Sequence, residues 1–157
     1  LALRASRPQL TLSLVGSAGP HQHKVQSLAA RHPESITFHG PVEAGPALID
    51  ICRASDLFAM ASHHETFGLV YVEALSQGLP VLYSRGQGID GTFTEPVGVA
   101  VDPSSVADIR RGLEQMIDNY PSFDTSQVRF EPFMWEHIAG RYLEMYRAIL
   151  SPPAPFR

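Results

Sequence analysis

Two glutamates, Glu65 and Glu73, stand eight positions apart around the step Thr66-Phe67-Gly68-Leu69, within SHHETFGLVYVEALSQGLPV at residues 62–81. If a helix starts near Gly68, Glu65 lies in the loop just outside it and Glu73 in its second turn. The two carboxylates then stand on the order of 10 Å apart. Between them fall the free N–H groups of the helix start, which favour an anion through their donors and the helix dipole. Carboxylates accept hydrogen bonds from sugar hydroxyls, and Gly68 lets the backbone approach a phosphate closely. A ligand with hydroxyls at both ends and phosphate in the middle, such as a nucleotide diphosphate sugar, matches this layout. A plainer reading stands beside it: acids near a helix start complement the dipole, and two glutamates at this spacing arise by chance in many helices.

The elements around this stretch must be read from pattern. LVYVEAL is ambiguous between helix and strand, because Val70, Tyr71 and Val72 favour strands. Gly78 just before Pro80 reads as a helix stop and decides for a helix. Upstream, QLTLSLVG at 9–16 reads as a strand ended by Gly16. Pro20 suits the first position of a helix that carries Val25, Leu28, Ala29 and His32 up to Pro33. SITFHG is a second strand. Leu48, Ile49 and Cys52 form the inner face of a short helix after Gly45-Pro46. DLFAMAS, 56–62, is a third strand, apolar throughout as for a strand covered on both faces. PVLYS at 80–84 and GVAV at 98–101 are the fourth and fifth. An amphipathic helix over Val106, Ile109, Leu113, Met116 and Ile117 follows, capped by Ser104 or Ser105. Trp135, Ile138, Tyr142, Met145 and Ile149 mark a last long helix.

Strands alternating with helices predict an α/β fold, a Rossmann-like three-layer sandwich with a parallel sheet. In such sheets ligands bind beyond the carboxyl ends of the strands. Gly16 to Gly19, His39 to Gly40 and His63 to Gly68 all sit at such ends and are expected to converge on one crevice.

Composition narrows the function. The 157 residues fit one domain, and 44% hydrophobic with 18% charged residues is a globular balance. A net charge of -4, with Lys24 the only lysine, provides no basic footprint for nucleic acid or anionic lipid. Cys52 is the single cysteine, so no internal disulfide forms and a reducing compartment is the default. No stretch is long and apolar enough for a membrane span. LALRASRP begins without methionine and reads as the tail of a helix stopping before Pro8, as in a piece of a longer chain.

Other chemistries fit less well. His63-His64 beside Glu65, and the HQH at 21–23, lack the further ligands a zinc site needs. Gly16-Ser17-Ala18-Gly19 is not the dinucleotide fingerprint. Ser62 near His63 has no nucleophile elbow. His39 reads either as a base contact or as an ordinary polar strand edge. Trp135, Tyr142 and Tyr146 follow helical spacing and read as packing.

Taken together, these segments resemble the retaining glycosyltransferases of group 1 (family 4), which have the GT-B fold. ETFGLVYVEALSQGLPV is similar to their E-x-F-G-x-x-x-x-E-A-x-A-x-G-x-P-V signature. LTLSLVGSAGP, ITFHGPV, ASDLFAMAS, GVAVDPSSVADI and FMWEHIAGRYLEMYRAIL resemble further family segments in the same order. Ala61 stands where proline is usual, and GQGIDG where the family tends to have G-G-I-P-E, which leaves the part of Asp90 open.

The resemblance implies that residues 1–151 form the C-terminal, donor-binding half of a GT-B enzyme, with 152–157 a disordered tail. It implies that Glu65 acts at the reacting sugar as an orienting and charge-stabilising group, and that Glu73 holds the donor ribose. Thr66, Phe67, Gly68 and Leu69 would line the diphosphate and sugar, and Gly16, Ser17, Gly19, His39 and Gly40 the base. No metal or other cofactor is expected. The implied partners are a nucleotide-sugar donor and an acceptor glycan or lipid bound through a missing N-terminal domain, with no nucleic acid and no integral membrane segment. The expected location is cytoplasmic, with a peripheral seat on the inner face of a membrane open to the whole enzyme. The family's phosphate-binding Arg and Lys have no counterpart here: Lys24 falls in a helix, and Arg4 and Arg7 sit in the wrong context. The isolated chain is therefore expected to be inactive. A non-catalytic nucleotide-sugar-binding domain and a sugar-nucleotide epimerase are the alternatives.

Overall fold

The computed structural model describes residues 1–16 and 19–150; Ser17 of the candidate set and the 152–157 tail lie outside the described residues. A 3₁₀ turn at Ala2–Ala5 stands where the sequence suggested a helix tail. Then come β1 (Leu12–Val15), α1 (Gln22–Arg31), β2 (Ile36–Gly40), α2 (Pro46–Arg53), β3 (Phe58–Ala59), α3 (Leu69–Ser76), β4 (Val81–Ser84), β5 (Gly98–Val101), α4 (Val106–Asp118) and α5 (Trp135–Leu150). The class is α/β, as expected, and the strands of both sheets run parallel.

The expected single sheet is instead two. β1 pairs with β2, and β3, β4 and β5 form a second sheet in that order. The third strand is much shorter than DLFAMAS suggested, because its later backbone groups are taken up by side chains: the Tyr71 hydroxyl bonds the Met60 carbonyl and the Ser84 hydroxyl bonds the Ser62 carbonyl. β3 is therefore an edge strand with Ala59 exposed, and β4 is the strand covered on both faces.

Successive side chains of a strand point to opposite faces, and β4 uses this to join two cores. Val81 packs with Tyr71, Ala74, Leu75, Leu79, Ile89 and Val97 on the α3 side. Leu82 packs with Val101 and Met116 on the α4 side. Of the two candidate caps of α4, Ser105 is the one used, its hydroxyl accepting the Asp108 N–H at 3.1 Å, while Ser104 bonds Asp102. Helix α1 begins at Gln22 rather than at Pro20, with His21 in the capping position.

The last helix departs from expectation. Trp135 is 80% exposed, Tyr142 53% and Tyr146 54%, so these aromatics are not packed in a core. α5 lies mainly against the turn Glu131–Phe133, and none of its residues is fully buried.

Candidate functional site

The segment after β3 is fixed by side chains from the neighbouring elements. Tyr71 on α3 donates its hydroxyl to the Met60 carbonyl at 2.7 Å, and Ser84 at the end of β4 donates to the Ser62 carbonyl at 2.6 Å. Glu65 is held on both sides: its N–H donates to Gln87 Oε1 at 3.0 Å, and its carbonyl accepts the Gly88 N–H at 3.3 Å. The Glu65 side chain is half-buried.

Gly68 turns the chain into α3 with φ +78°, a conformation that L side chains rarely adopt. A Cβ there would lie 2.5 Å from the Tyr71 ring and 3.2 Å from the Glu65 carboxyl carbon. The Glu65 carboxyl group thus lies against the start of α3. Burial, and then the Glu65 charge, push the Tyr71 hydroxyl up to about 12. Phe67 is anchored by its ring, 5.7 Å from that of Phe133.

The helix start carries no side-chain cap and no acid in its first turn. Among the described residues, no group accepts the N–H of Phe67, Gly68 or Leu69; the first amide taken up is that of Tyr71, by the Gly68 carbonyl. Glu73 falls in the second turn, on the exposed side of α3, and so is not a first-turn complement to the dipole. Thr66 is exposed, and Leu69 is 63% exposed, an apolar side chain standing in solvent at the helix start.

Glu73 lies on the wall of a cleft of about 170 Å³ between α2 and α3. The α3 wall is Glu73, Ser76 and Gln77; the facing wall includes Ala44, Gly45, Leu48, Ile49 and Cys52. Arg53 ties the two helices by donating from Nε to Gln77 Oε1 at 3.0 Å. Burial, and then the Glu73 charge, raise the Cys52 thiol above its ordinary value. The periodicity of Leu48, Ile49 and Cys52 identified an inner face but not what it faces. No residue of α2 is fully buried, and that face is a cleft wall. The meeting of Gly45 with a carboxylate 28 positions on is supplied only by the fold.

The first sheet carries the other candidate residues. Its two strand ends meet, the Gly16 N–H donating to the Gly40 carbonyl at 2.9 Å. The Gly19 carbonyl accepts from Gln22 at the head of α1. The exposed His39 ring turns back onto β1, with Nε2 3.4 Å from Ser13 Oγ. Among the described residues no hydrogen bond or ion pair joins Gly16, Gly19, His39 or Gly40 to residues 62–73. The segment that reaches Glu73 from this side is Ala44-Gly45, just beyond β2.

Apart from Arg53, bonded to Gln77 at the cleft, the cations considered for phosphate stand elsewhere. Arg4 pairs with Glu34 at 3.1 Å and Arg7 with Asp118 at 2.5 Å, while Lys24 lies on α1. Arg85, which follows β4, donates to the Ala100 carbonyl and lies 3.5 Å from Asp108. Asp90 closes its own loop, accepting the Gly86 N–H at 2.6 Å. Among the described residues no three His, Cys, Asp or Glu side chains are grouped to hold a metal ion, and no helix is long and apolar enough to cross a membrane.

Known proteins resemble this chain in sequence and in fold. The chain is 32% identical to a D-inositol 3-phosphate glycosyltransferase of Arthrobacter sp., over 95% of this chain and 38% of that protein. It is 30% identical to a GDP-mannose-dependent monoacylated alpha-(1-6)-phosphatidylinositol monomannoside mannosyltransferase of Corynebacterium glutamicum, over 73% of this chain and 32% of that protein. The fold matches a sucrose-phosphate synthase from Thermosynechococcus elongatus with a TM-score of 0.74 at 25% identity, covering 94% of this chain and 40% of that one. It also matches the pneumococcal O-GlcNAc transferase solved with UDP and GlcNAc, with a TM-score of 0.73 at 20% identity, over 96% and 32% of the two chains. The chain thus spans about two fifths or less of the length of these relatives. The family model described as glycosyl transferases group 1 matches residues 1–130, and the chain belongs to that family.

Proposed function

We propose that this chain is the donor-binding domain of a retaining glycosyltransferase, one that moves a hexosyl group from a nucleotide-diphosphate sugar to an acceptor in glycan biosynthesis. The observation that carries the reading is the placement of the two glutamates. Glu73 stands on the wall of the α2–α3 cleft, Glu65 lies at the start of α3, and the uncapped helix start lies between them.

In this reading the nucleoside enters the cleft. Leu48 and Ile49 cover a face of the base, and Glu73 accepts from the ribose hydroxyls. The diphosphate meets the N–H groups of Phe67, Gly68 and Leu69, where donors and helix dipole favour an anion. Glu65 accepts from hydroxyls of the transferred sugar and, as a fixed negative charge, stabilises positive charge developing at the reacting carbon. The leaving diphosphate oxygen helps to deprotonate the acceptor on the same face, so the anomeric configuration is retained. Similarity to a GDP-mannose-dependent mannosyltransferase and to a fold solved with UDP supports a nucleotide-sugar donor. A diphosphate calls for cations, and Arg4, Arg7 and Arg85 are committed to other partners. The chain alone therefore binds donor weakly and transfers no sugar.

The test is a titration of this chain and of Glu73→Ala with UDP, GDP, ADP and their sugar conjugates, followed by amide chemical shifts. One nucleotide series should move signals over residues 44–52 and 65–77. A charge-assisted hydrogen bond is worth about 1.5–3 kcal/mol, so Glu73→Ala should weaken binding roughly 10- to 150-fold. Equal binding by Glu73→Ala refutes the assignment, as does the absence of any shift at millimolar nucleotide when the titration is repeated on the full-length protein.

A further inference from the structure

We propose that Gln87 is a positioning residue for Glu65, setting the carboxylate at the sugar end of the site without touching the ligand itself. The inference rests on the donor-binding reading of that site and adds a residue to it. Glu65 lies in the loop between β3 and α3, a place where backbone is ordinarily free to move. Here it is clamped from a loop 22 positions further on: Gln87 Oε1 accepts its N–H at 3.0 Å, and the Gly88 N–H donates to its carbonyl at 3.3 Å.

The side chain is pinned by the same loop. Gly88 has φ +60°, and a Cβ there would stand 3.0 Å from Glu65 Cγ and 3.1 Å from the Phe67 carbonyl oxygen. Gly88 therefore presses backbone directly onto the Glu65 stem, and Gln87 beside it fixes the amide. The clamping loop is itself held, by Asp90 accepting the Gly86 N–H at 2.6 Å and by the buried Ile89 in the α3-side core. A carboxylate held in this way costs little further ordering when a ligand arrives, which is how preorganisation supports binding and catalysis.

The test measures hydrogen exchange of the Glu65 amide, and the binding of UDP, GDP and ADP against UDP-glucose, GDP-mannose and ADP-glucose. The wild-type chain is compared with Gln87→Ala, Gln87→Asn and Gln87→Glu. Loss of the acceptor should speed Glu65 exchange roughly five- to tenfold in Gln87→Ala. Gln87→Asn, one methylene short, should behave likewise. Gln87→Glu, which keeps an acceptor oxygen at the same reach, should restore protection. For the nucleotide series that binds, Gln87→Ala should weaken the sugar conjugate about fivefold and leave the parent diphosphate within twofold. A merely structural role would weaken both equally, and that outcome overturns the proposal, as does unchanged Glu65 exchange in Gln87→Ala. Failure of the full-length protein to bind any of the six nucleotides instead overturns the donor-binding reading, and with it the role of Gln87 at a sugar site; the Glu65 exchange rates still decide whether Gln87 clamps the loop.

Discussion

Replacing Gly68 by alanine should be among the most damaging single-methyl changes in this chain. Two separate costs arise there. A non-glycine residue at φ +78° pays roughly 1–2 kcal/mol for the left-handed conformation. The new Cβ would also lie 2.5 Å from two carbons of the Tyr71 ring. That ring cannot swing away: Tyr71 is 1% exposed, its hydroxyl is bonded to the Met60 carbonyl at 2.7 Å, and it meets Phe58 edge-on at 5.7 Å. Overpacking of this kind costs about 1–3 kcal/mol, for a total of about 2–5 kcal/mol. Gly91→Ala is the control, since Gly91 has φ +75° with nothing within 4 Å of an added Cβ, and carries the conformational cost alone. Urea unfolding of the two variants and the wild type separates the terms. With a slope of about 2 kcal/mol/M, Gly68→Ala should lower the midpoint by about 1–2.5 M, and Gly91→Ala by no more than about 1 M. Equal shifts would refute the claim that a rigid Tyr71 ring defines the turn into α3.

Two further outcomes follow from the ionisable groups around the glutamates. Tyr71→Phe removes the hydroxyl bonded to Met60 and should cost about 1 kcal/mol at neutral pH, since a half-buried carbonyl loses its partner. The Tyr71 hydroxyl is pushed up to about 12, so its contribution is fully present below the ordinary tyrosine value near 10 and is lost as pH rises through 12. Stability measured from pH 9 to 12 should therefore fall more steeply in the wild type than in Tyr71→Phe. Burial and then Glu73 hold the Cys52 thiol above its ordinary range, so alkylation by iodoacetamide should be slow at neutral pH and rise with pH. Glu73→Gln should hasten it at pH 8, and a nucleotide seated in the α2–α3 cleft should protect the thiol; alkylation indifferent to both would place Cys52 away from the cleft.

The order and class of the elements were legible because each one declares itself locally. QLTLSLVG, PVLYS and GVAV are short apolar runs between turn residues, and Ser104-Ser105 offers a cap before α4; the structure places β1, β4 and β5 within those runs and uses Ser105 as the cap. Helix α3 was legible through its ending, Gly78 before Pro80, although its own residues favour strands. The alternation of Val81 and Leu82 between two cores then follows from the geometry of any strand. The pair Glu65 and Glu73, with Gly68 between them, also belongs to the sequence, since a loop followed by a helix of known rise sets their relation.

What the linear pattern did not carry was which surfaces meet. DLFAMAS has the composition of a central strand, yet hydroxyls from Tyr71 and Ser84 take up its carbonyls and leave β3 a two-residue edge. Trp135, Tyr142 and Tyr146 have helical spacing, but spacing specifies a face and not a partner, and their face is exposed. The cleft beside Glu73 and the grip of Gln87 on Glu65 both join residues more than twenty positions apart. Local propensity and periodicity act within a few turns of chain, so the sequence determined the chemistry on offer and the elements that bear it. The tertiary structure decided which wall faces Glu73 and which loop holds Glu65, because those contacts arise only when separate elements are packed side by side.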